Sequence, residues 1–217
     1  MLAGVIFDFD GVIVDSHPLH LEAWKEFFRS MSREVADEEL AFVLEGAKRE
    51  EILRHFLGGL TPEQTRSHGD EKDKLFQAQA SELKLVRGFA EFLAQMEAAG
   101  LPSAVATSGG RRRVEQTLAR FSLLSRFRAV ITGDDVAQGK PDPALFLMAA
   151  RALQIAAERL LVCEDAVAGV MAAKTAGMKC LAIAANGRGP LLKDAGADLV
   201  VENFEQTDLN DVRRLFT

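Results

Sequence analysis

The chain lacks several features that would tie it to an oxidising compartment or to a membrane. It has only two cysteines, Cys163 and Cys180, and both lie in apolar runs typical of strands. Such cysteines indicate buried thiols in a reducing compartment and not a disulfide framework. The sequence contains no apolar stretch that approaches a membrane span and no positively charged leader with an apolar core. These features predict a cytoplasmic protein.

Positive charge is also scarce. The chain has 26 Lys and Arg against 32 Asp and Glu, a formal net charge of -6. A nucleic-acid partner requires a basic stripe that neutralises backbone phosphates, so the composition argues against one. The only dense basic run is Arg111-Arg112-Arg113, at the predicted start of a helix. We interpret it as the solvated face of that helix, with binding of substrate charge as the alternative.

Neither internal repeats nor low-complexity tracts occur, and the pattern divides the chain into a core and an insertion. With 217 residues, 48% of them apolar, the chain can bury one substantial core plus a subdomain. Residues 1–14 and 85–217 alternate strand-like runs with helical periods, which predicts an α/β core with a doubly wound, Rossmann-like parallel sheet. Residues 15–84 show a helical period and no strand pattern, which predicts an all-helical cap of about four helices.

The helical periods define the apolar faces of this insertion. One face comprises Leu19, Ala23, Trp24, Phe27, Phe28 and Met31, and another comprises Ile52, Leu53 and Phe56. Gly58-Gly59 ends a helix, and Thr61 begins the next with Pro62 in its first turn and Gln64 as the reciprocal capping residue. The scattered phenylalanines, Phe42 among them, are assigned to the core.

Two carboxylates stand two residues apart near the start of the chain, at the end of an apolar run. Asp8 and Asp10 follow Val5-Ile6-Phe7, and Gly11 comes next. In an extended strand, side chains two residues apart face the same way about 6–7 Å apart, which lets them flank a phosphoryl group. Gly11 permits a sharp turn behind them. Taken alone, the pattern favours two acids that cap a strand end.

Polar runs suited to phosphate or metal follow three later apolar segments, residues 101–106, 129–131 and 160–163. These runs are Thr107-Ser108-Gly109-Gly110, then Gly133-Asp134-Asp135 leading to Gly139-Lys140-Pro141-Asp142-Pro143, and Glu164-Asp165. Open parallel sheets bind ligands beyond the carboxyl ends of their strands. One site can therefore collect all of these residues together with Asp8 and Asp10.

The ordered set resembles the four motifs of the haloacid dehalogenase superfamily of phosphatases and mutases. The motifs stand here as Asp8-Phe9-Asp10-Gly11-Val12, Thr107, Lys140 in Gly-Lys-Pro-Asp-Pro, and Glu164-Asp165 followed by Gly169 and Ala172-Ala173. Each motif alone is weak, but the ordered set spans nearly the whole chain. The resemblance implies that residues 15–84 are a cap inserted after the first motif, hinged near Asp15-Ser16 and near residues 84–88.

The needs of phosphoryl transfer suggest a role for each motif residue. A carboxylate that attacks a phosphomonoester forms an aspartyl phosphate, and Asp8 is the predicted nucleophile. The leaving alkoxide needs a proton and the attacking water needs a base, and we predict that Asp10 serves both steps. Lys140 is predicted to bring positive charge to the transferring oxygens, and Thr107 with the amide of Ser108 to hydrogen-bond them.

A divalent cation is the expected cofactor, because two carboxylates and a phosphate dianion repel one another. Mg²⁺ prefers such oxygen ligands and keeps several waters. The resemblance implies that Asp8, the main-chain carbonyl of Asp10 and Asp165 bind Mg²⁺, with Glu164 acting through a water. Glu164 and Asp165 can also cap the helix that follows them, which is compatible with metal binding.

Other candidate residues have structural alternatives. Lys140 precedes a proline and, taken alone, fits an exposed loop lysine. Gly109 and Gly110 resemble a loose phosphate-cradling loop, and they fit an ordinary turn as well. The resemblance places His20, on the first cap helix, near Asp10, with a surface histidine as the alternative. The remaining histidines, His17, His55 and His68, are interpreted as structural.

Substrate choice is predicted to lie in the cap. The segment Gly46-Ala47-Lys48-Arg49-Glu50 resembles the β-phosphoglucomutase branch, in which the arginine holds the distal phosphate of a sugar bisphosphate. Lys72 falls roughly where that branch has a substrate-facing lysine. Two departures favour hydrolysis, since a mutase must grip both ends of a bisphosphate. Glu45 replaces a basic residue, and Ser108-Gly109-Gly110-Arg111 replaces a more polar loop that holds the second phosphate.

We therefore predict a Mg²⁺-dependent phosphatase acting on a small phosphorylated metabolite, specifically a sugar phosphate, with a β-phosphoglucomutase-type phosphomutase as the alternative. A phospho-accepting signalling domain is disfavoured because such modules lack a helical cap and place the phosphorylated Asp mid-chain. A metal-free dehalogenase is disfavoured because it needs neither Asp10 nor Asp165. No nucleic-acid or membrane partner is expected, and the chain is predicted to be a monomer or a weak homo-oligomer.

Overall fold

A six-stranded parallel sheet forms the centre of the computed structural model, which describes residues 1–44 and 46–217 and all of their side chains except those at 41, 42 and 186. The strands are β1 (Gly4–Phe7), β2 (Ser103–Ala106), β3 (Ala129–Ile131), β4 (Leu160–Glu164), β5 (Lys179–Ile183) and β6 (Leu199–Val201). Their order across the sheet is β3-β2-β1-β4-β5-β6. The predicted doubly wound α/β core is confirmed. The order reverses between β1 and β4, where such sheets bind ligands.

Helices lie between successive strands. The α-helices of the described residues are α1 (His17–Ser30), α2 (Asp37–Leu40), α3 (Arg49–Leu57), α4 (Pro62–Ala78), α5 (Phe89–Ala98), α6 (Arg111–Arg120), α7 (Ala144–Leu153), α8 (Val167–Thr175), α9 (Gly189–Asp194) and α10 (Leu209–Arg214). Short 3-10 helices occupy Ala41–Leu44, Ala80–Glu82, Leu124–Arg126, Gly133–Asp135, Ala157–Arg159, Ala185–Gly187 and Phe204–Gln206. Within the described chain, no helix combines the length and apolar character needed to cross a membrane.

The central strands are apolar on both faces because helices cover both. Val5 and Phe7 of β1 join one hydrophobic cluster, while Ile6 between them joins a second cluster on the opposite face. This alternation follows from the two-residue period of a strand. Cys163 of β4 and Cys180 of β5 are buried free thiols, as predicted, and burial raises the pKa of both.

The insertion between β1 and β2 has a third hydrophobic cluster of its own. Its buried side chains include Trp24, Phe27, Phe28, Leu40, Ile52, Leu53 and Phe56. Met31, assigned to the same apolar face, is 40% exposed because α1 ends at Ser30 and the chain turns away there. The predicted start of α4 is confirmed, since Thr61 and Gln64 cap each other's main-chain amides. The interpretations of Glu45 and of the Phe42 side chain lie outside the described residues.

The two segments that connect the insertion to the core run side by side. Val14 forms an antiparallel bridge with Leu85. The amide of Asp15 donates to the carbonyl of Lys84 at 2.9 Å, and the amide of Val86 donates to the carbonyl of Ile13 at 3.0 Å. This pairing brings the start and the end of the insertion together at one edge of the core. That residues 15–84 act as a separate cap domain remains a prediction.

Candidate active site

Three carboxylates converge at the carboxyl ends of β1 and β4. Phe7 and Cys163 are opposite each other in these paired strands, so Asp8 and Glu164 emerge side by side. The amide of Asp8 donates to the carbonyl of Cys163 at 2.9 Å, which extends the strand pairing into the site. One oxygen from each of Asp8, Glu164 and Asp165 lies within 4.8 Å of the others, and all three residues are buried.

Lys140 bridges two of these carboxylates. Its Nζ donates to Asp8 Oδ1 at 2.6 Å and to Glu164 Oε1 at 2.9 Å. Burial by itself would lower the pKa of Lys140. The charges of Asp8 and Glu164 raise it by more than burial lowers it, so the net shift is upward and the ammonium stays charged. Burial raises the pKa of Asp8 to about 6 against the opposing charge of Lys140. Burial and the Asp8 charge raise the pKa of Glu164 to about 8. Lys140 is thus a buried contact of the site and not an exposed loop lysine.

Two motif glycines make room for this cluster. A Cβ on Gly169 of α8 would overlap the Glu164 carboxylate, and a Cβ on Gly11 would overlap that of Asp165. Gly11 also has φ +75, a conformation that disfavours other residues. The turn after β1 therefore lies against Asp165, and α8 lies against Glu164.

Asp165 has a second neighbour from the start of α1. His17 Nε2 lies 2.9 Å from Asp165 Oδ2. Burial lowers the pKa of His17, but the Asp165 charge outweighs it and raises the pKa to about 9. Even so, Asp165 Oδ2 is a buried oxygen that receives no hydrogen bond of acceptable geometry. His17, interpreted as structural, faces the carboxylate cluster, where it is placed to orient Asp165.

The carboxylate cluster fits a hard divalent cation. Its donors are carboxylate oxygens, which Mg²⁺ prefers, and Asp165 Oδ2 lacks a geometrically sound donor. Asp8, Glu164 and Asp165 also lie close enough together to repel one another when ionised, and a bound cation would offset that repulsion. Asp8, Asp165 and Glu164 are therefore the residues that would hold the ion.

The loop after β2 brings further polar groups to the same place. Thr107 is buried, and its Oγ1 accepts a hydrogen bond from the amide of Gly109 at 3.1 Å. This acceptor role leaves the hydroxyl proton of Thr107 available to a ligand oxygen. The Ser108 hydroxyl donates to the carbonyl of Gly46 at 2.8 Å, a contact between the loop and the insertion.

Asp10 is held by three residues from two parts of the chain, the start of α1 and α6. Its Oδ1 accepts from Ser16 Oγ at 2.7 Å and lies 3.1 Å from His20 Nε2. Arg113 donates from Nη1 to Oδ1 at 2.9 Å and from Nη2 to Oδ2 at 2.6 Å. Burial raises the pKa of Asp10, but Arg113 and His20 bring it well below its usual value.

The contact with Arg113 corrects the interpretation of the basic run. Arg112 is exposed, and Arg111 pairs with Glu115 and Asp135 at the surface. Arg113 instead lies on the buried face of α6 with Val114, Thr117 and Leu118. A helical period carries one arginine of the three inward, so the prediction of a solvated face is wrong for Arg113.

His20 and Lys72 extend the contacts of Asp10 into the insertion. Lys72 Nζ lies 2.8 Å from His20 Nδ1, and the His20 ring stacks on Phe76. Burial and the Lys72 charge lower the pKa of His20 to about 3, so the imidazole is neutral. A neutral ring that donates through Nε2 to Asp10 accepts through Nδ1 from Lys72. Burial, with Arg113 next in importance, lowers the pKa of Lys72 to about 7.

Arg49, the first residue of α3, lines the same cavity. Its Nη1 donates to Asp73 Oδ2 at 2.8 Å, and its guanidinium packs against Gly69 of α4.

Every site residue predicted from the sequence lines this one cavity between the sheet and the insertion. The set is Asp8, Asp10, His20, Arg49, Lys72, Thr107, Ser108, Gly109, Lys140, Glu164 and Asp165. Ser16, His17 and Arg113 also contact the site; a helical period through residues 113, 114, 117 and 118 is the signal that identifies Arg113.

Comparisons with known proteins place the chain in a family. Residues 5–183 match the family described as haloacid dehalogenase-like hydrolase. The chain is 34% identical to β-phosphoglucomutase of Bacillus subtilis (strain 168), a match that covers 96% of this chain and 92% of the relative. It is 30% identical to hexitol phosphatase A of Escherichia coli (strain K12), over 94% of this chain and 92% of the relative.

A solved structure shares the fold over almost the whole chain. CbbY from Rhodobacter sphaeroides, in complex with phosphate, aligns with a TM-score of 0.86 and 28% identity, covering 98% of this chain and 100% of that one. The family match, the parallel sheet and the convergence of the four motifs at its carboxyl edge agree with one another. The chain is an enzyme of the haloacid dehalogenase-like hydrolase family.

Proposed function

We propose that the protein is a Mg²⁺-dependent phosphatase that hydrolyses a phosphomonoester of a small metabolite, a sugar phosphate, through an aspartyl phosphate on Asp8. The observation that carries this proposal is the contact of Lys140 with Asp8 beside the buried pair Glu164 and Asp165. A carboxylate nucleophile, a fixed cation and acids that suit a metal are the parts that phosphoryl transfer to a carboxylate requires.

In the first step, an Asp8 oxygen attacks phosphorus as the bond from phosphorus to the leaving alkoxide breaks. Lys140 holds Asp8 in place and faces it with positive charge that favours the developing negative charge on the phosphoryl oxygens. Thr107 has a hydroxyl proton to donate to the same oxygens. When bound by the carboxylate cluster, Mg²⁺ would offset the repulsion between the acids and the phosphate.

Asp10 supplies the proton for the first step and removes one in the second. A substrate dianion adds negative charge beside Asp10 and raises the pKa of its carboxyl, so Asp10 takes up a proton from solvent as the substrate binds and gives it to the leaving oxygen. In the second step Asp10 accepts a proton from water as the water oxygen attacks phosphorus and the bond to Asp8 breaks. When inorganic phosphate leaves, Asp10 releases this proton to solvent and the enzyme returns to its starting state.

The arrangement around the cavity favours hydrolysis over phosphoryl shuttling. A mutase must hold a second phosphate, and the guanidinium of Arg49 is paired with Asp73. Arg111, the first residue of α6, is paired with Glu115 and Asp135. The relatives named as hexitol phosphatase A and as a phosphorylated carbohydrates phosphatase support a sugar phosphate substrate.

A phosphomutase remains the second candidate, supported by the 34% identity to a protein named β-phosphoglucomutase. Wild-type enzyme primed with a sugar bisphosphate should be assayed for interconversion of glucose 1-phosphate and glucose 6-phosphate beside phosphate release. Faster interconversion than release would establish the mutase, and release without interconversion would establish the phosphatase.

The proposal is tested with a phosphate-release screen over sugar phosphates and other phosphorylated metabolites, with Mg²⁺ present. Asp8→Asn should abolish release from every substrate, because the side chain that forms the aspartyl phosphate is gone. Asp194→Asn, a change at an exposed aspartate of α9, is the matched control and should retain wild-type rates. Turnover by Asp8→Asn at the wild-type rate would refute the mechanism.

A further inference from the structure

Arg113 and Asp10 form a two-pronged ion pair between α6 and the turn after β1. The two terminal nitrogens of the guanidinium contact different oxygens of the Asp10 carboxylate, at 2.9 Å and 2.6 Å. This geometry is the most directional that an arginine offers a carboxylate, since it fixes the plane of the acid as well as its distance. The two residues are 103 positions apart in the chain.

The surroundings of the Arg113 guanidinium show that this pair is built into the fold. The side chain is 6% exposed and lies 5.6 Å from the centre of the Phe9 ring and 5.1 Å from that of Phe76. Gly109 leaves room for it, because a Cβ there would overlap Nη2. The Phe9 ring of the core, the Phe76 ring of the insertion and the backbone at Gly109 therefore surround the guanidinium.

The hydrogen bonds of Asp10 divide unequally between its two oxygens. Oδ1 is close to three donors, on Ser16, His20 and Arg113. Among the hydrogen bonds of the described residues, Oδ2 accepts only from Arg113. Each carboxylate oxygen has two lone pairs, so Oδ1 is saturated while Oδ2 retains a position for a proton.

We infer that Arg113 is a positioning residue for proton transfer, which orients the Asp10 carboxylate so that Oδ2 exchanges the proton with the leaving oxygen and then with water. This inference rests on the acid and base role proposed for Asp10. Arg113 itself neither gains nor loses a proton, because its guanidinium is always charged. Oδ2 loses its proton to the alkoxide oxygen as the phosphorus–oxygen bond breaks, and regains one from the attacking water.

The test compares two substrates that differ in how much they need a proton. An alkyl phosphate, such as glucose 6-phosphate, has a poor leaving group that needs one, whereas p-nitrophenyl phosphate leaves readily as an anion. Arg113→Met keeps an apolar side chain against the two rings but removes both donors. It should lower kcat/KM for the alkyl phosphate by about 10- to 10²-fold, the range expected for a displaced catalytic group, and barely change kcat/KM for p-nitrophenyl phosphate.

A double-mutant cycle with Asp10→Asn separates positioning from direct substrate binding. If Arg113 acts through Asp10, adding Arg113→Met to Asp10→Asn should cause no further loss on the alkyl phosphate. If the losses in kcat/KM of the two single variants multiply in the double variant, the inference is overturned in favour of direct substrate binding. If Arg113→Met loses kcat/KM equally on both substrates, the inference is overturned in favour of a structural role. Arg112→Met, at the exposed neighbour, is the control and should match wild type on both substrates.

Two further outcomes keep the test decisive. If Arg113→Met fails to fold, Arg113→Lys replaces it, because lysine retains the charge but not the paired contact with Asp10. The loss of kcat/KM in Arg113→Lys should again be confined to the alkyl phosphate. A selective loss in Asp10→Asn without one in the Arg113 variants would overturn this inference alone. Wild-type rates for Asp10→Asn on the alkyl phosphate would overturn the proposed acid role together with the inference.

Discussion

Lys140 Nζ lies 2.6 Å from Asp8 Oδ1, and both side chains are almost completely buried. The same ammonium lies 2.9 Å from Glu164 Oε1. One cation therefore holds together acids from two adjacent strands at the point where the strand order reverses. Burial of like charges so close together is unfavourable unless a cation is shared between them.

Lys140→Met should lower both activity and stability. Loss of the cation leaves two buried carboxylates uncompensated, which should reduce the free energy of unfolding by about 3–5 kcal/mol. Loss of charge beside the transferring group should reduce kcat by about 10²–10³-fold. Urea unfolding in chelator and steady-state phosphate release measure the two effects.

The control for that substitution is Lys179→Met, at a lysine whose side chain is 40% exposed and paired with Asp198. It should change the free energy of unfolding by about 1 kcal/mol or less, as for surface pairs, with wild-type turnover. A Lys140→Met enzyme as stable and active as this control would contradict the structural and electrostatic role of Lys140.

Asp165→Asn should weaken Mg²⁺ binding. Asp165 supplies a buried oxygen without a well-formed hydrogen bond, and its neutralisation removes the negative charge and replaces one of the two carboxylate oxygens with an NH2 group that cannot bind a cation. We expect the Mg²⁺ concentration for half-maximal activity to rise about tenfold or more. We also expect the rise in Tm that Mg²⁺ produces in the wild type to shrink, because an ion that binds only the folded state stabilises it.

Both readouts should be recorded after treatment with chelator and after readdition of Mg²⁺. Asp194→Asn serves again as the control, with a wild-type response in activity and in Tm. Full wild-type activity in excess chelator would mean that the carboxylate cluster does not hold a catalytic cation.

Arg49→Ala tests whether the insertion recognises a second anionic group. If Arg49 leaves Asp73 to bind a distal phosphate, KM should rise for substrates that carry one, by about tenfold or more for a lost bidentate contact. Substrates with a single phosphate should keep their KM. Asp73→Asn removes the nearest charge that pairs with Arg49, although Glu50 and Asp70 remain within 4 Å, and should lower KM for the doubly charged substrates. Unchanged KM values in both variants would assign Arg49 a structural role only.

Lys72→Met should stabilise the protein in a pH-dependent way. The pKa of Lys72 is about 7 in the folded protein, against about 10.4 in an unfolded chain. Within that window the unfolded state binds more protons, so wild-type stability rises with pH. Below about pH 7 the buried Lys72 ammonium is charged in the folded protein. The gain in stability of Lys72→Met over wild type should therefore be largest there and should shrink as pH rises.

Thermal unfolding at about pH 6 and about pH 9 measures this difference. Lys74→Met, at an exposed position of the same helix, should show no such trend. An equal change in Tm at both pH values for Lys72→Met would show that Lys72 does not lose its proton in the folded state.

Much of the fold and of the candidate site follows from local sequence patterns. Apolar runs that each end in polar residues predict parallel strands whose carboxyl ends meet, and Asp8, Thr107, Lys140 and Asp165 do line one cavity. The start of α4 follows from Thr61 and Gln64, because a capping box involves residues three positions apart. Patterns of this kind need no knowledge of distant parts of the chain.

The sequence by itself thus determined which residues follow the strands of the sheet and where α4 begins. Helix capping and the alternation of buried and exposed residues depend only on residues a few positions apart. Only the tertiary structure decided that Arg113 pairs with Asp10, that Arg49 pairs with Asp73 and that His17 faces Asp165. Long charged side chains reach several ångströms and find partners on other elements. The helical period of α6 turns Arg113 inward, but only the packing of Phe9 and Phe76 around its guanidinium brings it to Asp10.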